Sequence, residues 1–104
     1  MPVMAQNTLP YLDGVPIMSG FALSNDDVIV FDKPQGRVID LTVWCSANCP
    51  STKEIEVFYM DTMNRLGWNT IKDHEFTNEG ATLNYNIMRD KNSDSVIILF
   101  QSNG

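Results

Sequence analysis

Two cysteines and one histidine are the side chains in this 104-residue sequence best suited to nucleophilic, redox or soft-metal chemistry. The cysteines lie in Trp44-Cys45-Ser46-Ala47-Asn48-Cys49-Pro50, at the end of a strand pattern and directly ahead of a helix start. A thiol held at a helix N-terminus is acidified and becomes a nucleophile, and a thioredoxin-like redox pair uses that placement. Such a pair needs two intervening residues so that the second sulfur can attack the mixed disulfide; here there are three, and after Trp68 the sequence shows strand patterns and no proline. Three readings stay open for Cys45 and Cys49: a redox couple, a structural disulfide, and free thiols, which are the default. A turn permits the disulfide if it brings the Cβ atoms within about 4.5 Å.

His74 would have to serve any Ser/His/Asp or Cys/His mechanism, but Lys72-Asp73-His74-Glu75 reads as a charged, solvated strand edge. Two cysteines and one histidine lack a fourth zinc ligand at finger-like spacing, so no metal or other cofactor is expected. The carboxylate pairs Asp26-Asp27 and Asp73/Glu75 could hold a divalent cation or share a proton, yet neither lies in a glycine-punctuated calcium loop. Isolated glycines form no phosphate-cradling pattern. No residue is assigned a catalytic role.

The elements that must position these groups are legible from periodicity. Val28-Ile29-Val30-Phe31 is a β-branched run ending at the turn Asp32-Lys33-Pro34-Gln35-Gly36. The return strand, Arg37 to Cys45, alternates Ile39, Leu41, Val43 and Cys45 against Asp40, Thr42 and Trp44. Ser51-Thr52-Lys53-Glu54 is a capping box, and Ile55, Phe58, Tyr59, Met63 and Leu66 form one helical stripe that Gly67 stops. Trp68 is placed to fold back on Met63. Beyond it the expectation is a strand from Trp68 to Thr77, a turn at Asn78-Glu79-Gly80 and a strand from Ala81 to Arg89. The last strand, Ser95 to Gln101, has apolar residues pointing both ways, as in a strand covered on both faces.

Residues 1–24 are broken by Pro2, Pro10, Gly14, Pro16 and Gly20 but carry many apolar side chains, and so read as an extended arm packed along the domain. The fold expected is α+β: one amphipathic helix on a mostly antiparallel sheet of about five strands, β-β-α-β-β-β, in one domain over residues 1–104.

Seven basic against thirteen acidic residues give a net charge of −6, which disfavours nucleic acid and anionic lipid surfaces. No apolar run approaches a membrane span and the start lacks a basic, apolar leader, so the chain as written is expected in the cytoplasm. Val3-Met4-Ala5 before Gln6 has signal-peptidase spacing, which would place it in the periplasm or outside if a leader had been removed.

Val30-Phe31-Asp32-Lys33-Pro34-Gln35-Gly36-Arg37-Val38, Val57-Phe58-Tyr59 and Thr62-Met63-Asn64-Arg65-Leu66-Gly67-Trp68 together resemble a family of small bacterial α+β proteins. In that family a VFDKPxGRI hairpin precedes a VxxFYxxTLxxLGW helix. The resemblance implies fold and brings no biochemical role. The helix-to-tryptophan part also looks like a segment common in envelope lipoproteins and assembly factors, an analogy that favours binding.

Trp44 fits a plain core model least well, because alternation puts a large aromatic on the face away from the helix. Either the arm covers it or, with Thr42 and Phe76, it marks a contact surface. The function expected is therefore a non-enzymatic binding module for a protein partner, a second copy or a small apolar ligand. Contact is expected on the sheet face or in the groove between helix and sheet, with Trp44, Tyr59, Trp68 and Tyr85 as candidate residues. A small thiol-disulfide protein using Cys45 and Cys49 is the alternative.

Overall fold

The computed structural model describes residues 8–12, 14–90, 92 and 94–103; residues 1–7, 13, 91, 93 and 104, among them the Val3-Met4-Ala5 motif, lie outside that set. The chain runs β1 (Ala22–Lys33), β2 (Gly36–Cys45), α1 (Thr52–Arg65), β3 (Asn69–Lys72), β4 (Glu75–Asn78), β5 (Ala81–Arg89) and β6 (Val96–Asn103). All six strands join one antiparallel sheet in the order β1-β2-β6-β5-β4-β3. Among the described residues the α+β class, the single helix and the antiparallel pairing agree with expectation; the strand number does not.

The additional strand comes from residues 68–77, expected as one strand. Asp73 and His74 break that segment into a two-residue turn between Lys72 and Glu75, with His74 at φ 69°. Histidine is among the non-glycine residues that tolerate the left-handed region, and no proline or glycine flags the reversal. The next turn is Glu79-Gly80, both at positive φ, the mirror-type geometry whose twist matches that of a hairpin.

Ser51 caps α1 as expected: its hydroxyl accepts from the Glu54 amide at 3.1 Å while the Glu54 carboxylate accepts from the Ser51 amide at 2.8 Å. These bonds hold the Glu54 carboxyl below its ordinary pKa, the backbone bond contributing most. At the other end Gly67 takes φ 98°, its amide donates to Asn64, and the Trp68 amide donates to Met63 at 2.9 Å. That is a complete Schellman stop, and Trp68 packs half-buried against the core.

One face of α1 buries Ile55, Tyr59 and Met63 against Ile39, Leu41 and Val43 of β2, Leu83 and Tyr85 of β5, and Val96, Ile98 and Phe100 of β6. Leu9, Leu12 and Val15, ahead of the sheet, are buried in the same core, and a short bridge pairs Thr8 with Pro16. Residues 22–24, expected as arm, already belong to β1, which carries an irregularity between Leu23 and Val28 before its regular run. In β6 Val96, Ile98 and Phe100 are buried while Ile97 is 38% exposed, so this interior strand is covered on one face and not, as expected, on both. The apolar residues on its second side belong to an open sheet face.

Candidate functional site

Period-two alternation fixes which side chains share the face away from α1. The register aligns Ala22, Trp44, Ile97 and Met88 in one row across β1, β2, β6 and β5. Trp44 is 44% exposed and Met88 50%. The described part of the arm does not cover Trp44: its buried residues, Leu9, Leu12 and Val15, enter the core on the helix side. Phe76, expected to join this face, is buried in that core, because the turn at Asp73-His74 resets the alternation of the strand that follows.

Two rows along, Ile29, Asp40, Gln101 and Asn84 lie side by side, and beyond them Phe31 stands opposite Val38. Ile29 and Phe31 are exposed. The Oδ1 atoms of Asp40 and Asn84 are both buried and lack a hydrogen-bond partner. Covered acceptors without donors are destabilising, so they are uncommon in a finished surface. The open face thus has an apolar row at one end, an apolar edge at the other, and unsatisfied acceptors between them.

The remaining aromatic candidates lie elsewhere. Tyr59 is fully buried, in edge-on contact with Phe58 and Phe100 at centroid distances of 4.8 and 5.3 Å. Its hydroxyl donates to the Pro16 carbonyl at 2.9 Å and accepts from the Met18 amide at 3.2 Å. Tyr85 is buried between Tyr59 and His74, and Trp68 is half-buried beside the helix stop. The structure does not bring these three to Trp44; they belong to the helix side of the sheet.

His74 is not the solvated edge expected from its neighbours. Its Nε2 lies 2.7 Å from Glu56 Oε2, and its ring stacks on Tyr85 at 4.3 Å with planes 21° apart. The left-handed turn conformation swings the imidazole under α1, a placement invisible to a period-two pattern. Lys53, Glu56, Asp61, Asp73, His74 and Tyr85 contribute to a cleft of about 480 Å³ between helix and turn. Burial, with lesser contributions from the negative charges of Glu56 and Asp73, pushes the Tyr85 phenol up to about 12. Glu56, Asp61 and Asp73 give the cleft an acidic lining that Lys53 partly offsets. Among the described residues no group of three or more His, Cys, Asp or Glu side chains gathers to hold a metal ion.

Cys45 and Cys49 are joined in a disulfide, with Cα atoms 5.9 Å apart. Cys45 ends β2 on its buried side, and Cys49 is half-buried two residues before the helix cap. Asn48 reaches φ 56° and closes the loop between them. Arg89 at the end of β5 donates to the Pro50 carbonyl and, at 2.8 Å, to the Thr52 hydroxyl, fastening the loop and the first helical turn to the sheet.

Among the described residues no helix is long and apolar enough to cross a membrane. No protein-family model matches the chain, and neither a curated protein nor a solved structure is significantly similar to it.

Proposed function

We propose that this protein is a non-enzymatic binding module whose open sheet face engages a protein partner. The observation that carries the reading is the row Trp44, Ile97 and Met88, aligned by register and exposed on a face that neither the helix nor the described part of the arm covers. Large aromatic and sulfur-bearing side chains at the centre of a contact surface supply most of its binding energy. With a net charge of −6, the complementary surface is apolar at its centre and carries Lys and Arg at its rim.

Site-specific photo-crosslinking tests this reading. A crosslinker at position 44 is expected to trap a defined protein that one at position 57, exposed on the helix, does not trap. With that protein purified, Trp44→Ala should weaken binding by roughly tenfold or more. No product specific to position 44, or an affinity unchanged by Trp44→Ala, would sink the proposal.

A second reading, a small thiol-disulfide protein, is favoured by the joined Cys45 and Cys49 immediately before a helix. Burial of Cys45 weighs against it, because an exchanging thiolate needs access. Turnover in an insulin-reduction assay, lost in Cys49→Ala, would raise it above the binding reading.

A further inference from the structure

The sheet has two free edges, and they are built differently. β3 is four residues long and irregular between Thr70 and Lys72, features that keep an edge strand from pairing. At the other edge β1 has a regular run from Val28 to Lys33, with neither proline nor irregularity inside it. Lys33 and Gly36 close the two-residue turn into β2, so Lys33 bonds inward to β2. By alternation the amides and carbonyls of Asp32, Val30 and Val28 point to the free edge, where, among the described residues, no strand pairs with them.

We infer that β1 is a self-association edge, pairing antiparallel with β1 of a second copy about a two-fold axis through Val30 and perpendicular to the sheet. The occupant follows from self-complementarity. In this register Val30 meets Val30, and the outward-facing Val28 and Asp32 meet each other, so the hydrogen-bonding phase is correct. Ile29 then faces Phe31 of the second copy, joining two side chains that are exposed in the single chain. Asp27, immediately before the regular run, comes beside Lys33 of the second copy, bringing opposite charges together at both ends of the ladder. Centring the axis on Ile29 would set Asp27 against Phe31, and centring it on Phe31 would set Ile29 against Lys33; neither matches charge to charge. The axis keeps both open faces on one side, giving one continuous sheet. This inference is independent of what the open face binds.

Sedimentation of the full chain over a range of concentrations tests it, with circular dichroism as the check on folding. The wild type is expected to dimerise and Val30→Pro to be monomeric, because that amide points away from β2 and its loss spares the hairpin. Asp27→Lys and Lys33→Asp should each raise the dissociation constant by roughly five- to tenfold, since every dimer contains the pair twice, and the double exchange should restore it. A wild type that stays monomeric throughout overturns the inference, as does a dimer indifferent to Val30→Pro or a double exchange that fails to rescue. A dimer lost in Trp44→Ala but intact in the β1 variants would place the second copy on the sheet face and likewise overturn it.

Discussion

The Tyr59 hydroxyl, in the middle of α1, donates to the carbonyl of Pro16 at 2.9 Å and accepts the amide of Met18 at 3.2 Å. One side chain thereby satisfies two backbone groups of a segment that belongs to no helix or sheet ladder, and ties it to the core. Burial raises the phenol's pKa well above its ordinary value, so it remains a neutral donor. Tyr59→Phe keeps the ring contacts with Phe58, Tyr85 and Phe100 but strands both backbone groups. The expected cost is about 1 to 3 kcal/mol by denaturant unfolding, with faster hydrogen exchange at the Met18 amide. Unchanged exchange at Met18 would mean that the segment is held by Leu9, Leu12 and Val15 alone.

Gly67 gives a second prediction, because its φ of 98° is what allows the Trp68 amide to return to Met63. A Cβ at this position would meet only the Asn78 side chain, at 4.0 Å, so backbone strain and not a clash sets the cost. Gly67→Ala should destabilise by about 1 to 2 kcal/mol and blue- or red-shift the Trp68 emission as the indole loses its seat. An alanine variant as stable as the wild type would show that the stop is not held by the glycine conformation.

How far the sequence foretold this arrangement depended on the physics of each signal. Ser51 with Glu54, and Gly67 with Trp68, were legible because caps are local: three or four residues determine the bonds that form. Trp44 on the open face was legible from alternation alone, since reversing one residue reverses the face. His74 was not, because its position depends on a left-handed turn with no glycine to announce it, and on a helix residue, Glu56, eighteen positions away. Phe76 was misplaced for the same reason. The dual apolar pattern of β6 suggested two covered faces, but a pattern reports only that side chains are apolar; whether anything lies against them is decided by topology.

The Cys45–Cys49 link encloses a very short stretch of chain, so its effect on the unfolded ensemble is small. Chain-entropy arguments give roughly 2 kcal/mol for a loop of this size. Reduction should therefore lower unfolding stability by about that amount and leave a folded protein, because Cys45 stays buried in the core and Arg89 still fastens the helix start. Complete unfolding on reduction would show that the link organises far more of the chain than its own turn.

Tyr85 supplies a pH signature for the cleft beneath α1. Its phenol is raised from 10.0 to about 12, first by burial and then by the negative charges of Glu56 and Asp73. The folded chain therefore holds the Tyr85 proton more tightly than the unfolded chain does. Its contribution to stability is complete below pH 10 and falls as the pH rises toward about 12, the range in which the unfolded state has released a proton that the folded state keeps. Denaturant midpoints measured across that range should decline in the wild type and decline less steeply in Tyr85→Phe, while an ultraviolet phenolate titration of the variant loses one of its late transitions. Glu56→Gln removes a charge that opposes phenolate formation and should shift that transition downward. A midpoint decline of equal slope in Tyr85→Phe would mean that the phenol is solvated when folded and that the His74 ring, stacked on it at 4.3 Å, does not shield it from water.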